Sequence, residues 1–160
     1  MRDELTKLYN RFGMRRYVEK ILQVAKRDGK HIMCIEMDLD GLKRINDTYG
    51  HDAGDNAIVQ IANAMRQASE RREVCIRSGG DEFLVFGIAE KESDARSFIR
   101  RVEDCLDEYN SRNQWPYQVA CSCGYYVRRA SEINSLEEMV TEADKLLYMV
   151  KARRRTTRTS

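Results

Sequence analysis

The sequence has none of the features that mark membrane, secreted or multidomain proteins. No apolar run approaches the roughly 20 residues that a membrane-spanning helix needs, and residues 1–4 are too charged for a signal peptide. Internal repeats and low-complexity linkers are also absent, so the 160 residues predict a single domain over residues 1–160. The net charge is only +2, which points to neither nucleic acid nor a membrane surface as a partner.

The cysteines form neither a disulfide framework nor a metal motif. Their number is odd, and the apolar pattern around them predicts burial in strands or, for Cys105, on the apolar face of a helix. Cys121 and Cys123 have the spacing of neither a zinc site nor a redox motif. We therefore expect reduced thiols that pack as small core residues in a cytoplasmic domain; the five are Cys34, Cys75, Cys105, Cys121 and Cys123.

The spacing of apolar residues predicts an alternation of helices and strands. In chain order the pattern predicts a helix over 14–25, a buried strand over 31–37, a short helix over 42–50, a long helix with its apolar face over 58–68, a hairpin over 74–88, a helix over 95–109, a strand over 117–127 that follows the only proline, and a helix over 136–150. Strands that are partly antiparallel and covered by helices predict an α+β sandwich.

The hairpin carries unusual residues at its turn, in the run Arg77-Ser-Gly-Gly-Asp-Glu-Phe83. Glycine tolerates the positive φ that tight hairpin turns need. Asp81 and Glu82 are poor strand formers at the mouth of a buried strand. Glycines that let the backbone approach a ligand, next to paired carboxylates, suit a site for metal and phosphate. Taken alone, the same run also fits an ordinary Gly-Gly turn with solvated acids.

A second acidic pair, Asp38 and Asp40, follows the central strand. If this strand neighbours the hairpin, four carboxylates converge, and such like charges need a cation between them. Mg²⁺, which takes oxygen ligands and is often shared with phosphates, is the natural choice. Lys43 lies close enough in sequence to reach a triphosphate. Taken alone, the segment Asp38-Leu-Asp40 also fits a polar turn. Lys43, taken alone, also fits an ordinary solvated lysine.

Four segments together resemble the GGDEF-domain diguanylate cyclases. The name-giving pentapeptide is intact at residues 79–83, and Asp38-Leu-Asp-Gly-Leu-Lys-Arg-Ile-Asn-Asp-Thr-Tyr-Gly-His-Asp-Ala-Gly-Asp55 resembles the family's upstream motif. Residues 3–11 resemble its opening, with Lys7 where glycine is usual, and residues 143–151 resemble its closing helix. The resemblance runs from Asp3 to about Arg155, which is nearly the whole chain.

The resemblance implies a nucleotidyl-cyclase, polymerase-palm-like sandwich with a mostly antiparallel central sheet flanked by helices. It also implies condensation of two GTP into cyclic di-GMP with release of pyrophosphate, supported by two Mg²⁺ per active site, with Mn²⁺ as the other candidate. Matched position by position, Asp38, Asp81 and the carbonyl of Leu39 would bind metal, with Glu82 at the second ion. Asp81 would also accept the proton of the attacking ribose hydroxyl.

The remaining matched positions would hold the nucleotide. Lys43 would stabilise the transition state, Gly79 and Gly80 would let the backbone approach the substrate, and the terminal phosphates would bind Lys151 and Arg155. The guanine-binding positions of the family match Asn46, His51 and Asp55. The family's usual Gly-Arg after the closing lysine is here Arg154-Arg155, a departure that bears on the phosphate role of Arg155.

Three functions stay open at this point: an active diguanylate cyclase, a catalytically silent GTP- or partner-binding sensor, and a cyclase that makes a mixed adenine–guanine dinucleotide. The intact pentapeptide disfavours the sensor, and the carboxylate of Asp55 at a base-reading position disfavours the mixed product. One site holds one GTP, so a homodimer is implied. We also expect the chain to be a fragment of a longer regulated protein that carries a sensor domain before it. A membrane anchor elsewhere in that longer protein is compatible with this expectation.

The segment Glu70-Arg71-Arg72-Glu73 departs from the resemblance. Many family members carry Arg-x-x-Asp at this distance before the glycines, where the pair binds dimeric product and arrests the enzyme. Glu70 replaces the arginine with a charge that repels phosphate, and Arg71 and Arg72 are out of register. We therefore expect cyclic di-GMP to bind weakly or not at all at this segment.

Overall fold

The computed structural model describes residues 1–70 and 73–159. Arg71 and Arg72, on which part of the regulatory prediction depends, lie outside the described residues. The elements in chain order are β1 (Tyr9–Asn10), α1 (Met14–Arg27), β2 (His31–Leu39), α2 (Leu42–Tyr49), α3 (His51–Ala68), β3 (Val74–Arg77), β4 (Glu82–Ala89), α4 (Ser93–Arg112), β5 (Cys121–Arg129), a 3-10 turn (Ala130–Glu132) and α5 (Leu136–Thr159). Among the described helices, none combines the length and the apolar character needed to cross a membrane.

The strands form one sheet in the order β1-β3-β4-β2-β5. The short β1 pairs in parallel with β3, and the β3–β4, β4–β2 and β2–β5 pairs are antiparallel. The prediction of an α+β fold with a mostly antiparallel central sheet is therefore confirmed. The central strand β2 is paired on both sides and buried almost throughout, as its apolar run indicated.

Two layers of helices cover the two faces of the sheet. Alternate residues of β2, represented by Met33, Ile35 and Met37, pack against α3 and α4, whereas Ile32 and Cys34 face α1 and α5. This alternation follows from the period of two along a strand. The five cysteines are free thiols, of which Cys34, Cys75 and Cys121 are buried and Cys105 and Cys123 are partly exposed.

Two predicted strand boundaries differ from the structure. Strand β2 continues through Asp38 and Leu39 instead of ending at Met37, because Asp38 still pairs with Glu82 and Ser122 on the neighbouring strands. Strand β5 begins only at Cys121, so residues 117–120 are not strand. There the side chain of Asn110 on α4 forms hydrogen bonds of the kind that a neighbouring strand would form. It accepts from Val119 N (2.9 Å) and donates to Val119 O (2.9 Å).

Helix α5 lies directly against the backbone of β5 at Gly124. A Cβ atom at this position would lie 2.9 Å from the Leu147 Cα, and closer still to the carbonyl oxygen of Ala143. Real Cβ atoms do not approach other atoms so closely, so the residue between strand and helix must be glycine. The contact places the next turn of α5 above the acidic end of β2.

Candidate active site

The predicted meeting of the two acidic segments occurs at the ends of β2 and β4. Asp38 is paired with Glu82 in the antiparallel register, and Leu39 N donates to Asp81 O at 2.9 Å. Carboxylate oxygens of Asp38, Asp81 and Glu82 all lie within 4.8 Å of one another. Three oxygen ligands converging on one point form a suitable site for a hard divalent cation.

Asp40 does not join this cluster, so the expectation of four converging carboxylates is wrong by one. Its Oδ1 accepts from the Ser122 hydroxyl at 2.7 Å, and its Oδ2 accepts from the Arg154 guanidinium at 3.1 Å. The chain turns at Gly41, which has a positive φ of 69°, and Asp40 points toward β5 and α5. Arg154, the residue that departs from the family pattern, thus anchors α5 to the end of the sheet.

The Gly79–Gly80 loop is wider than the tight hairpin turn that was predicted. Residues 78–81 separate β3 from β4, and Glu82 O accepts from Ser78 N (2.9 Å) and Gly79 N (3.3 Å). The described glycines with positive φ are Gly29, Gly41 and Gly50, so a positive φ is not the reason for glycine here. A Cβ on Gly80 would meet nothing within 4 Å, which leaves its backbone open to a ligand.

Arg77 fixes this loop from the inside, a role that the sequence analysis missed. Its guanidinium donates to the carbonyls of Gly79 (3.2 Å) and Gly80 (2.9 Å) and pairs with Asp3 at 3.1 Å. The two carbonyl oxygens therefore point back toward Arg77. The arginine two residues before Gly79 and the acid near the start of the chain were the available signals.

Burial and like charges oppose ionisation of the acid cluster. Burial raises the pKa of Asp38, although its ion pair with Lys151 acts in the opposite direction. Burial also raises the pKa of Glu82, and the charges of Asp38 and Asp81 raise it further. The Oδ1 of Asp38 is buried and has no hydrogen-bond partner among the described residues. Lone carboxylate oxygens of this kind fit a metal such as Mg²⁺, which prefers oxygen ligands.

Two further carboxylates that the sequence analysis overlooked extend the cluster. Glu36 precedes Asp38 by two residues and shares its face of β2, where it lies close to Asp144 on α5. Burial first, and then the charges of Asp144 and Asp38, raise the pKa of Glu36 to about 8. Burial and the neighbouring carboxylates thus favour the protonated form of Glu36. The strand period of two was the signal that could have placed it beside Asp38.

Lys151 contacts this cluster through its ion pair with Asp38. Burial lowers the pKa of Lys151, but the hydrogen bond and charge of Asp38 outweigh it, so that the pKa is raised overall. Arg155 is exposed one helical turn further along α5, on the same side. Both predicted phosphate-binding residues thus lie on the helix that covers the acidic end of β2.

The predicted base-binding residues lie on the two helices that follow β2. Lys43 is exposed and Asn46 half-buried on α2, and His51 and Asp55 are exposed one turn apart at the start of α3. Asn46 packs against Gly54, where a Cβ would lie 2.8 Å from the Asn46 Cγ and closer still to its Oδ1. The glycine before Asp55 therefore sets the position of the Asn46 amide.

The segment predicted to lack a product site borders a separate groove of about 470 Å³. Among the described residues its charged lining is mainly acidic: Glu70, Glu73, Glu90 and Asp94 face a single cation, Arg101. Arg101 lies 3.6 Å from Glu70 and donates to Ala68 O at 3.0 Å. This charge distribution disfavours an anionic nucleotide in the groove.

The chain matches a known protein family over nearly its whole length. The family described as "Diguanylate cyclase, GGDEF domain" matches residues 1–157. The probable diguanylate cyclase DgcJ of Escherichia coli (strain K12) is 33% identical over 149 residues, which are 93% of this chain and 29% of that protein. Diguanylate cyclase DgcS of Shewanella oneidensis is 32% identical over 153 residues, which are 95% of this chain and 50% of that protein. The chain thus spans half or less of these two relatives.

Solved structures show the same arrangement of elements. Diguanylate cyclase SiaD of Pseudomonas aeruginosa, in complex with its activator SiaC, superposes with a TM-score of 0.83 at 31% identity, covering 95% of this chain and 58% of that chain. The coiled coil and GGDEF domain of DgcB of Caulobacter crescentus, in complex with c-di-GMP, gives a TM-score of 0.80 at 26% identity, covering 94% and 80%. The polymerase-palm-like sandwich expected from the sequence is therefore the observed fold.

Proposed function

The chain belongs to the diguanylate cyclase GGDEF-domain family, and we propose that it condenses two GTP molecules into cyclic di-GMP with release of pyrophosphate. The observation that carries the proposal is the convergence of Asp38, Asp81 and Glu82 beside Lys151. Named diguanylate cyclases among the relatives support the same activity. Carboxylates beside a lysine at strand ends suit attack of a hydroxyl group on phosphorus.

Each half of the reaction forms one phosphorus–oxygen bond and breaks another. The ribose 3′-oxygen of one GTP attacks the α-phosphorus of the other, the bond to pyrophosphate breaks, and Asp81 accepts the hydroxyl proton. Two Mg²⁺ ions held by Asp38, the Leu39 carbonyl, Asp81 and Glu82 would supply positive charge at the reacting phosphate, and Mn²⁺ has the same ligand preference. Lys43 stabilises the charge that develops on the phosphorus.

The other site residues bind the substrate. Lys151 and Arg155 hold the terminal phosphates, and Lys151 would exchange its ion pair with Asp38 for one with phosphate. Asn46 and Asp55, together with His51, bind the guanine, whose N1 and N2 donors match a carboxylate and whose O6 matches an amide. Gly80, whose backbone is open, and Gly79, which packs against the Glu82 side chain, lie beside the phosphates.

One active site holds one GTP, so two chains must face each other to close the cyclic product. The homodimer is therefore part of the proposal. A longer protein that carries this domain would control the encounter through a sensor domain. The domain itself acts in the cytoplasm, where GTP is available.

Incubation with GTP and Mg²⁺, followed by chromatography of the products, tests the proposal. We expect cyclic di-GMP from the wild type and none from Asp38→Ala or Asp81→Ala, because removing a metal ligand costs on the order of 3–5 kcal/mol of transition-state stabilisation, roughly 10²–10⁴-fold in rate. Asp107→Ala, which removes an exposed acid on α4, is the matched control and should retain full activity.

The outcome also separates the cyclase from the silent sensor. GTP binding by calorimetry without any product would support the sensor and contradict the cyclase. Wild-type turnover by Asp38→Ala or Asp81→Ala at saturating Mg²⁺ would refute the assignment of the metal site. The same assay with mixed ATP and GTP would reveal an adenine–guanine product.

A further inference from the structure

Strand β5 forms one edge of the sheet and, within residues 1–70 and 73–159, pairs in the ladder with β2 alone. At the two ends of this pairing, Asp40 N donates to Ala120 O (2.8 Å) and Ala130 N donates to Lys30 O (3.0 Å). Hydrogen-bonded and non-hydrogen-bonded pairs alternate along an antiparallel ladder. The even-numbered residues of β5 therefore bond to β2, and the odd-numbered residues direct their N–H and C=O groups away from the sheet.

A groove of about 580 Å³ runs beside this edge between α4 and the last turns of α5. Cys123 and Tyr125 of β5, both partly exposed, line it, and their outward main-chain groups belong to the open edge. Beyond the groove, Val127 borders a smaller space of about 230 Å³ at the other end of the strand. The open edge, defined here as the outward groups of Cys123, Tyr125 and Val127, is long enough for a short extended peptide.

The surroundings of the open edge are basic. Arg96 and Arg100 lie one turn apart on α4, Arg154 lies on α5, and Arg128 and Arg129 end the strand. Exposed acids are fewer: Glu103 lines the groove, and Glu92 and Glu132 line the smaller space. Arg96 is 3.6 Å from Glu92 in an exposed pair, and Arg154 is engaged with Asp40.

Arg100 has no ion pair or side-chain hydrogen bond within the described part of the chain. It is exposed on α4 and lines the same groove. Its position four residues after Arg96 directs both guanidinium groups to the same side of the helix. A negatively charged occupant would gain a partner for Arg100 without breaking an existing ion pair.

Basic residues beside an edge strand also protect against edge-to-edge aggregation. Protection alone does not account for an open groove that is lined by Cys123 and Tyr125, two residues whose N–H and C=O groups point outward. The combination of an unpaired strand edge, the apolar side chains of Ile99 and Val150 in the groove and the arginines beside it matches peptide recognition by strand addition. In this mode, main-chain hydrogen bonds supply affinity and flanking side chains select the sequence.

We propose that the β5 edge accepts an extended acidic segment of a protein partner as a sixth strand of the sheet. The segment forms antiparallel or parallel hydrogen bonds with Cys123, Tyr125 and Val127, and its carboxylates pair with Arg96 and Arg100. This function is independent of the cyclase reaction, since none of these residues belongs to the candidate active site.

A fluorescein-labelled peptide of alternating glutamate and valine tests the proposal by fluorescence anisotropy with the whole chain. We expect saturable binding, weakened at least tenfold by the double variant Arg96→Glu, Arg100→Glu. The matched control, Arg16→Glu with Lys20→Glu on the exposed side of α1, carries the same charge change and should bind as the wild type does. In heteronuclear NMR, the amide signals of Cys123, Tyr125 and Val127 should shift on binding.

A second peptide separates strand addition from simple charge attraction. The same sequence N-methylated at its central residues keeps its charge but loses the donors that a strand needs, and it should bind at least tenfold more weakly. Equal binding of both peptides, no saturable binding of either, or amide shifts confined to residues outside β5 would overturn the proposal. Concentration-dependent dimerisation abolished by the arginine variants would also overturn it, because the edge would then be occupied by a second copy.

Discussion

The substitution Gly54→Ala offers a sharp test of how the structure positions Asn46 for the proposed guanine contact. Gly54 lies inside α3 and faces α2, and a Cβ there would be 2.8 Å from the Asn46 Cγ and 3.2 Å from the Leu42 Cδ1. The first distance is shorter than real Cβ contacts allow. The Asn46 amide must therefore move by on the order of 1 Å, a displacement large enough to cost up to about a hundredfold at a site that depends on geometry.

Two effects of opposite sign decide the outcome for stability. Alanine is favoured over glycine inside a helix by about 1 kcal/mol, and forcing a methyl group into packed surroundings costs about 1–3 kcal/mol. Because Asn46 is only half-buried and its side chain can turn outward, the clash is partly relieved. We expect the free energy of unfolding to change by less than about 1 kcal/mol. GTP affinity should fall by about 1–3 kcal/mol, roughly 5- to 150-fold, as a hydrogen bond to the base is lost.

Calorimetric titration with GTP and Mg²⁺, together with thermal unfolding, measures both quantities. A double-mutant cycle with Asn46→Ala isolates the cause, since the two penalties should overlap instead of adding if Gly54 acts through Asn46. Gln67→Ala, at an exposed position of the same helix, is the control for a change of helix propensity. Wild-type GTP affinity in Gly54→Ala, or penalties that simply add, would refute the reasoning.

Three further predictions concern metal, base and product. Mg²⁺ at a hundred times its Kd should stabilise the wild type by about 2.7 kcal/mol, chelation should reverse this, and Asp38→Ala should show no Mg²⁺-dependent shift in Tm. GTP should bind far more tightly than ATP, because Asp55 accepts from donors that adenine lacks. The variant Asp55→Ser should reduce this difference in affinity. Equal calorimetric affinities for GTP and ATP in the wild type would contradict the prediction. Cyclic di-GMP titrated into a steady-state assay should not inhibit the cyclase by binding at residues 70–73. Noncompetitive inhibition at low micromolar product, abolished by Arg71→Ala, would contradict this prediction.

The arrangement of the sheet was predictable because strand and helix periods are properties of the sequence. The apolar run of β2 indicated a strand buried on both faces, and the two apolar runs around Gly79 and Gly80 indicated neighbouring strands. The sequence did not determine that these strands lie beside β2, the arrangement that brings Asp38 close to Asp81. Strand order depends on contacts between distant segments, so the sequence analysis could only assume it.

The details that escaped prediction depend on side-chain partners from other elements. Asp40 was grouped with Asp38 by spacing, but Ser122 and Arg154 draw it away, and both come from late in the chain. At Val119 the side chain of Asn110 forms the hydrogen bonds that a neighbouring strand would otherwise form, and no local sequence pattern predicts this contact. Glu36 was hidden in an apolar run, where a charged residue is easily taken for an exception to the pattern.

The Gly124 contact also determines how α5 can move. No side chain lies between the helix and the strand at this point, so the two backbones meet as hard surfaces. Sliding α5 along β5 would require the helix to lift off, whereas tilting about the contact requires that the hydrogen bonds of Arg154 to Asp40 and Ser122 break. The contact is thus a fulcrum, and Lys151 lies one turn beyond Leu147 on the arm that covers Asp38. A tilt of this arm changes the distance between Lys151 and the carboxylates while the sheet stays fixed.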